Sequence, residues 1–471
     1  MTEYTHGVYG ELKDAVIAAS GDATTAAVAI GTLPVNLVAD WSDMVGVPLK
    51  MDNASAKDSF GYCSDWSKYT LCEVMQAFFG GASGNVGGLY CINLLDPAKH
   101  KAAAKGEQTV AFKRGVGYLS DTDAIVSSIA VEGAEAVTAY YNAASEKIVI
   151  NASGLSAETA KVTYDKVDPS KVEAQDIVGA VAVLDDLYPM LNAVPNIVIA
   201  PGWSDDDSVY DAITDKVQAI DGRFFGFAVA DAPASVKTID AALEWKVSSG
   251  RDSKFSKVCW PCAKDADGAI YHASTLFARE MVKKDAAHGG VPYVTASNTA
   301  LDLEAVCLSD GAPVKMYQEH GNQLNEYGIS TIIAWGGQVR LWGGHTAGYA
   351  FGADNEASAI FDTNVRMLCH IINSFILEWG DEIDQPMTKA LQETVLFTEQ
   401  SKLDGLVAMG ALTGNPKCSF LASSNPMSDI VEGNFTWDLS ATPTPQFKTA
   451  RAVVAYSTEG FSAYISDGEE A

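Results

Sequence analysis

The sequence has few basic residues for its length. Its 471 residues include 32 lysines and arginines against 60 aspartates and glutamates, which gives a formal net charge of −28. A nucleic-acid-binding protein needs a basic surface that neutralises phosphates, and an anionic membrane surface would repel a chain of this charge. We therefore expect no nucleic-acid partner and no direct membrane insertion. The length of the chain predicts two or three domains.

Long apolar runs are also missing. No segment reaches the ~18–20 consecutive apolar residues that a membrane span needs. The first residues, MTEYTHGVYGELKDA, lack the basic start, apolar core and cleavage site of a secretory signal, so we expect folding in a cytoplasm. The cysteines are then expected to be reduced and buried: Cys63, Cys72, Cys91, Cys259, Cys262, Cys307, Cys369 and Cys418.

Phosphate-binding motifs are absent although glycine is abundant. The two glycine-rich stretches are GGASGNVGG, residues 80–88, and GGQVRLWGGHTAG, residues 336–348. Neither has the Lys-Ser/Thr end of a P-loop or the G-x-G-x-x-G register of a dinucleotide turn. We interpret both as tight turns and sites of close backbone packing, and we expect no bound cofactor.

Acid and thiol chemistry has weak sequence support. Cys259 and Cys262 have the redox spacing C-x-x-C, but they lie in an apparent strand, and we interpret them as part of a kinked core strand. The run 205–207, Asp-Asp-Asp, follows one strand, and Asp231 ends another, which is where α/β enzymes place their sites. These acids would either bind Mg²⁺ in a hydrolase that uses Asp205, Asp206 and Asp231, or cap helices and form turns.

Histidine-based catalysis is not indicated either. The seven histidines show no zinc-protease spacing, and no G-x-S-x-G elbow occurs. His345 and Thr346 could form an acid–base pair, but nothing near them in the sequence completes a triad. We therefore expect no catalytic residue and no metal site, and we interpret His345 as structural.

Hydrophobic periodicity predicts the main elements. An amphipathic helix is predicted over 66–79, and from about residue 171 buried strands alternate with helices, as in a mainly parallel sheet. Two long helices follow the Trp-Gly stretch, the second from about Thr388 to Met409. Both termini look like lone strands, and SATPTPQ, residues 440–446, reads as a Thr/Pro linker.

These patterns predict an α/β and α+β multidomain chain. The predicted parts are an N-terminal arm (1–20), the first part of an inner α/β domain (21–104), a small all-β insert (105–170), an outer α/β domain (171–335), the second part of the inner domain (336–443), and a C-terminal linker with a β arm (444–471).

An ordered set of motifs resembles the tail sheath proteins of contractile phage tails and related contractile injection particles. The set comprises PNIVIAPGWS, AVADAPASVKTIDAALEW, FAREMVKKDAAHGGVPYVTASNTAL, GGQVRLWGGHTA, LDGLVAMGALTG and GNFTWDLSATPTPQF. Members of the family typically carry an aromatic-Gly unit, then Arg or Leu, then Trp-Gly and a Thr. Arg340, Trp342, Gly343 and Thr346 occupy those places, with Trp335 before them, whereas His345 stands where the family often has Arg.

The resemblance implies a structural protein without catalysis or cofactor. It implies hexameric rings that stack helically around a tail tube, with baseplate and tail terminator proteins as further partners. It also implies assembly in the host bacterial cytoplasm and a place in a virion tail or an R-type-bacteriocin-like particle, where contraction drives the tube through a bacterial envelope. A different self-assembling shell protein remains an alternative, although the absence of a secretory signal argues against a surface layer.

The resemblance and the strand-prone termini together give the candidate assembly residues. Terminal arms that add strands to neighbouring subunits would provide connectivity through main-chain hydrogen bonds and register through alternating side chains. The Thr/Pro linker is the candidate hinge, and Lys389 and Lys402 are candidates for contact with an acidic tube. The arm residues are Tyr4, Gly7, Val8, Tyr9, Phe447, Val453, Val454, Tyr456, Phe461 and Tyr464, and the hinge residues are Pro443 and Pro445.

Overall fold

The structure is a computed structural model, and it describes residues 25–80 and 85–464. The predicted N-terminal arm, with Tyr4, Gly7, Val8 and Tyr9, lies outside the described residues. Within the two described ranges, no helix combines the length and the apolar character that crossing a membrane requires.

The described part of the chain alternates strands with helices. The strands are β1 (Ala26–Gly31), β2 (Pro48–Met51), β3 (Leu89–Asn93), β4 (Gly106–Lys113), β5 (Val116–Leu119), β6 (Ala130–Val131), β7 (Ala136–Asn142), β8 (Lys147–Ser153), β9 (Thr159–Tyr164), β10 (Pro195–Ile199), β11 (Phe227–Asp231), β12 (Ser256–Cys259), β13 (Cys262–Lys264), β14 (Ile270–Tyr271), β15 (Ala300–Leu301), β16 (Ala305–Cys307), β17 (Ile329–Trp335), β18 (Gln338–Trp342), β19 (Leu412–Ser419) and β20 (Asp438–Pro443). The α-helices are α1 (Ala56–Phe60), α2 (Thr70–Phe79), α3 (Ala174–Ala180), α4 (Leu187–Leu191), α5 (Asp207–Lys216), α6 (Ile239–Ser248), α7 (Ala273–Ala287), α8 (Gln318–Asn325), α9 (Asp362–Trp379), α10 (Lys389–Ala408) and α11 (Met427–Glu432).

A nine-stranded sheet forms the centre of the molecule, in the order β15-β18-β17-β12-β11-β10-β1-β3-β2. The strands from β17 through β12, β11, β10 and β1 to β3 pair in parallel, and the outer pairs are antiparallel. Every residue of β1 is buried, because helices cover both faces of the sheet.

Alternate residues of β1 point into two separate cores. Ala27 and Ala29 pack with α2 and α7 on one face, whereas Val28 and Ile30 pack with α3 and α5 on the other. This alternation follows from the two-residue repeat of a strand, and it places β1 in the middle of the fold.

The shared sheet corrects the predicted division into domains. Strands β1, β2 and β3, from the segment predicted as inner domain (21–104), lie in the same sheet as β10, β11 and β12, from the segment predicted as outer domain (171–335). The predicted boundary at residue 335 also falls within a hairpin, because β17 pairs with β18. The reason is that β1 fills the place between β10 and β3, which no local pattern in the sequence encodes.

The polar segment predicted as a small β insert contains a separate six-stranded antiparallel sheet, in the order β6-β9-β4-β5-β8-β7, with its own core. Side-chain to backbone hydrogen bonds join it to the central part. The Asn36 amide donates to the carbonyl oxygens of Thr122 and Ala124 at 2.9 Å each, and the Tyr141 hydroxyl donates to the Tyr62 carbonyl at 2.7 Å.

A C-terminal unit consists of α9, α10, α11 and the two-stranded sheet β19–β20, around a small core of its own. Helix α10 begins where the sequence predicted, because the Thr388 side chain accepts a hydrogen bond from the Leu391 amide. The predicted Thr/Pro linker is in part a strand. Pro443 is the last residue of β20 and lies opposite Leu412, a position that suits proline because a strand end requires no N–H donor.

Candidate functional site

The Trp-Gly stretch forms a β-hairpin with a two-residue loop. Trp335 and Gln338 are the last pair of β17 and β18, and Gly336 and Gly337 connect them with φ angles of 62° and 76°. Two positive φ angles define a type I′ turn, which matches the twist of the flanking strands and favours glycine. These glycines therefore serve a turn, as the sequence predicted.

The two tryptophans of the hairpin pack against each other. The rings of Trp335 and Trp342 meet edge to face, with centroids 5.4 Å apart. The Arg340 guanidinium lies 5.8 Å from the Trp335 ring centroid and donates to the Asn298 carbonyl at 3.1 Å. Trp335 remains 43% exposed, so the aromatic pair lies at the surface end of the hairpin and outside the core.

A buried lysine at the other end of the hairpin connects four segments. Lys257 of β12 is fully buried, and its ammonium lies 2.9 Å from the carboxylate of Asp362. It also donates to Ser330 Oγ at 2.8 Å and to the carbonyl oxygens of Gly343 at 3.1 Å and His345 at 2.9 Å. A buried ammonium needs this full set of acceptors to offset its lost hydration.

Gly343 makes this arrangement possible. Its φ is 130°, and a Cβ there would lie 2.5 Å from Asn325 Oδ1 and 3.0 Å from the Ser330 Cα. A side chain at this position would therefore push apart the strand and loop that present acceptors to Lys257.

His345 lies inside an aromatic stack. Its ring is parallel to that of Tyr349 at 3.7 Å between centroids, and the Phe361 ring lies 5.0 Å away on a nearly parallel plane. Burial lowers the pKa of His345 to about 4, and its Nδ1 lies 2.9 Å from the Ile360 carbonyl oxygen. The neighbouring Thr346 donates to the Ala359 carbonyl at 2.5 Å, so both residues of this pair have hydrogen-bond partners within the fold.

The C-terminal segment is attached next to this network. Gln446 Nε2 donates to Thr363 Oγ1 at 2.8 Å and to Asp362 Oδ1 at 3.3 Å. A Cβ on Gly344 would lie 2.1 Å from Gln446 Oε1, so the glycine leaves space for the glutamine side chain. Asp362 thus contacts both Lys257 and Gln446, the last residue of the Thr/Pro linker.

From Phe447 onward the chain has large apolar side chains, most of which are almost fully exposed. Residues 449–457 form no strand, and a short 3₁₀ helix spans Glu459–Tyr464. The predicted arm is therefore not a strand within this single chain, because it has no strand beside it to pair with. The arm residues between 82% and 91% exposed are Phe447, Val453, Val454, Tyr456 and Tyr464, and Phe461 is 52% exposed.

The two candidate tube-contact lysines differ in their surroundings. Lys402 forms ion pairs with Glu399 at 3.0 Å and Glu378 at 3.4 Å, and its side chain is 30% exposed. Lys389, at the start of α10, is 73% exposed and lies 3.8 Å from Glu393. The outward face of α10 also carries Phe397, which is 77% exposed.

The acidic run after β10 caps and anchors a helix. Asp206 precedes α5, and its carboxylate accepts from the Ser208 amide at 2.9 Å. Asp207 pairs at 2.9 Å with Arg251, a buried arginine that also donates to the carbonyl oxygen of Asp205 at 2.7 Å. Burial raises the pKa of the Asp205 carboxyl. These acids hold the loop to Arg251, a residue that no pattern in the sequence singles out.

Asp231 serves the start of another helix. Its carboxylate accepts from the Ser274 amide at 2.9 Å and from the Ser274 hydroxyl, and burial raises its pKa. Nearby, His272 Nδ1 lies 2.6 Å from Glu73 Oε2. Although burial opposes it, the Glu73 carboxylate raises the pKa of His272 to about 10. The described residues contain no group of three or more His, Cys, Asp or Glu suited to a metal ion.

The fold just described is shared by subunits of contractile injection systems. A chain of the anti-feeding prophage baseplate, in a six-fold symmetrised cryo-EM structure, has a TM-score of 0.59 at 14% identity and covers 97% of this chain and 100% of that one. A chain of the contracted sheath complex of the extracellular contractile injection system PVC has a TM-score of 0.58 at 14% identity, with 98% and 99% covered. The mixed α/β multidomain fold is thus similar to that of sheath proteins.

A relative found by sequence is of the same kind. The chain is 26% identical to the tail sheath protein of Burkholderia phage BcepMu, over 93% of this chain and 92% of that protein. No family model matches the chain. The resemblance to tail sheath proteins predicted from the motifs is confirmed. The comparisons support a structural subunit of a contractile tail sheath, in the tail of a phage or contractile particle, and give the hydrolase hypothesis no support.

Proposed function

We propose that this chain assembles into stacked hexameric rings around a tail tube and that the rings shorten and widen to drive the tube through a bacterial envelope. The observation that carries the proposal is the C-terminal segment, which exposes large apolar side chains next to a fixed attachment point at Gln446. A soluble chain gains by covering such side chains, because burial of apolar area is favourable at roughly 25 cal/mol per Å².

The partner for the segment is a second copy of this chain. Sheet β19–β20 has two strands, and a sheet of that size is marginal on its own and has free edges. A strand added from a neighbour would satisfy the edge N–H and C=O groups and cover part of the exposed apolar surface. The same pairing repeated around a ring and between rings gives a linked sheath.

The hinge of the C-terminal arm lies closer to the C-terminus than Pro443 and Pro445, the hinge residues expected from the sequence. Pro443 is held in β20, the Thr444 amide donates to the Ala411 carbonyl at 3.0 Å, and Gln446 is bound to α9. Pro445 lies between these fixed points. We place the pivot after Lys448, so that the arm reorients while its base stays attached.

The surface toward the tube is the outward face of α10. Lys389 lies at the start of the helix and Phe397 near its middle, and both are exposed to a partner. The carboxylates of Glu393 and Asp404 are exposed on this helix as well. Lys402 contributes less, since Glu399 and Glu378 already neutralise it. In this arrangement the C-terminal unit is the inner part of the sheath, and the six-stranded insert lies outside.

Assembly of purified chains tests the proposal. Negative-stain electron microscopy at high concentration, with and without the partner tube, should show rings or tubes from the intact chain and dispersed particles from a variant that lacks 447–471. A variant that lacks 1–15 should also fail to form linked rings. Assembly of both truncated chains to the same extent as the intact chain would rule out the arm mechanism. A flat lattice in place of helical stacks would indicate a different kind of shell.

A further inference from the structure

Two cysteines outside the assembly surfaces face each other across a pair of strands. Cys262 begins β13, Cys307 ends β16, and the two are direct partners in the antiparallel register. Their neighbours Ala263 and Val306 are also paired, and both belong to the main core. Because successive side chains of a strand alternate between faces, Cys262 and Cys307 share the opposite face.

This placement suits a disulfide. Directly opposed residues of an antiparallel pair have Cα atoms about 4.5–5.5 Å apart, within the range of about 4.4–6.8 Å found in disulfides. Their Cβ atoms, at about 4.5–5.5 Å, are slightly farther apart than in most disulfides, so closure requires a small inward movement. A bridge of this kind is more easily reduced than an unstrained structural one.

The redox spacing in the sequence pointed to a different pair. Cys259 is the last residue of β12 in the central sheet, whereas Cys262 begins β13 in a three-stranded sheet. Cys259 is buried in the main core. Cys259 and Cys262, three residues apart in the sequence, thus lie in different sheets. The strand partner of Cys262 is Cys307, 45 residues away in the sequence.

Cys262 is also the accessible member of the pair. It is partly exposed and lines a cavity of about 140 Å³ together with Cys259, Trp260 and Leu308, whereas Cys307 is buried. Of the two paired cysteines, Cys262 is the one that lines this cavity, so an oxidant that enters there meets Cys262 before Cys307. We propose that Cys262 and Cys307 form a redox-sensitive pair, reduced in a thiol-rich compartment and bridged when the protein meets a low-molecular-weight disulfide.

The reaction is a double thiol–disulfide exchange. Burial raises the pKa of the Cys262 thiol well above its usual value, so only a small fraction of it is ionised. That thiolate attacks one sulfur of the small disulfide, the S–S bond breaks, and one small thiolate leaves. The Cys307 thiolate then attacks the Cys262 sulfur and releases the second small thiolate. Two protein thiols are oxidised, one small disulfide is reduced to two thiols, and the two protons lost by the cysteines end on the released thiolates.

Oxidised glutathione is a suitable probe for the folded, full-length chain. After incubation, remaining thiols are alkylated and the protein is digested with trypsin without reduction. Cleavage at lysines 257, 264, 284 and 315 gives peptide 258–264, with Cys259 and Cys262, and peptide 285–315, with Cys307. We expect these two peptides to be joined in the wild type and separated by dithiothreitol.

Single-residue variants show which two cysteines form the disulfide. Circular dichroism checks that each variant is folded. The joined peptide should persist in Cys259→Ala and disappear in Cys262→Ala and Cys307→Ala. Complete alkylation of Cys307 in the oxidised wild type would overturn the proposal. A joined peptide that is lost in Cys259→Ala and kept in Cys262→Ala would overturn it too, as would glutathione attached to Cys262 with no joined peptide.

Discussion

The ammonium of Lys257 and the carboxylate of Asp362 form an ion pair at 2.9 Å, and both side chains are buried. One residue lies in the central sheet and the other begins the first helix of the C-terminal unit, so the pair joins the two parts of the molecule. Removal of one partner leaves the other charge buried and uncompensated, which is more costly than loss of the attraction itself.

Lys257→Met is therefore expected to lower the free energy of unfolding by about 3–5 kcal/mol. Lys254→Met is the matched control, because Lys254 pairs with Glu356 at the surface and should contribute at most about 1 kcal/mol. Urea unfolding followed by tryptophan fluorescence measures both. The double variant Lys257→Met/Asp362→Asn should recover part of the loss. Equal effects of Lys257→Met and Lys254→Met would show that the buried pair is not a major stabilising contact.

The hairpin turn gives a prediction about backbone conformation. A Cβ on Gly336 would meet no neighbouring atom, so the positive φ alone limits this position. Gly336→Val should cost about 1–2 kcal/mol, because a β-branched residue is strained there, whereas Gly336→Asn should be tolerated, since Asn-Gly suits a type I′ turn. Thermal unfolding of both variants tests this. The same midpoint for Val and Asn would mean that the loop relaxes to another turn type.

Acid sensitivity should depend on His345. Its pKa is lowered to about 4 in the folded chain against about 6.5 when unfolded, so the unfolded state binds more protons between these pH values. Stability contributed by neutral His345 is complete above pH ~6.5 and is lost as the pH falls toward ~4, by on the order of 3 kcal/mol at most.

The measurement is the urea midpoint at pH 7 and pH 5 for the wild type, His345→Gln and His288→Gln as a matched loss of one histidine. His345→Gln should show a smaller drop between the two pH values than the other two proteins. An unchanged drop in His345→Gln would assign the acid sensitivity to other groups.

Attachment of the C-terminal segment can be tested without assembly. Gly344→Ala should displace the Gln446 side chain and leave the fold intact, because the added Cβ meets the movable end of a side chain. Loss of the contacts to Thr363 and Asp362 should speed tryptic cleavage after Lys448 by about tenfold. A hydrogen bond contributes ~1 kcal/mol to stability, and one with a charged acceptor contributes somewhat more. Cleavage after Arg451, which lies in the exposed segment, is the internal reference. Gln446→Ala should reproduce the effect, and unchanged rates in both variants would contradict an attachment at Gln446.

The elements that the sequence predicted well are those with a local physical signature. Helix α10 has a Thr388 cap and α9 an apolar stripe, and the hairpin has two glycines between strand-forming residues. Helix α2 was predicted four residues too early, because 66–69 continue the apolar pattern but form a turn. Capping was one of the two roles that the sequence left open for Asp206, and it follows from local chemistry, since an acid before a helix satisfies free N–H groups.

The sequence by itself determined the turns, the caps, the two-sided burial of the central strands and the resemblance to sheath proteins, since each depends on residues close together or in a fixed order. The tertiary structure alone decided which strands share a sheet, and so merged two predicted domains. It also brought Lys257 to Asp362, His272 to Glu73, and Cys262 to Cys307. The physical reason is that strand order and contacts between distant side chains are set by packing of the whole chain, which leaves no periodic or local pattern in the sequence.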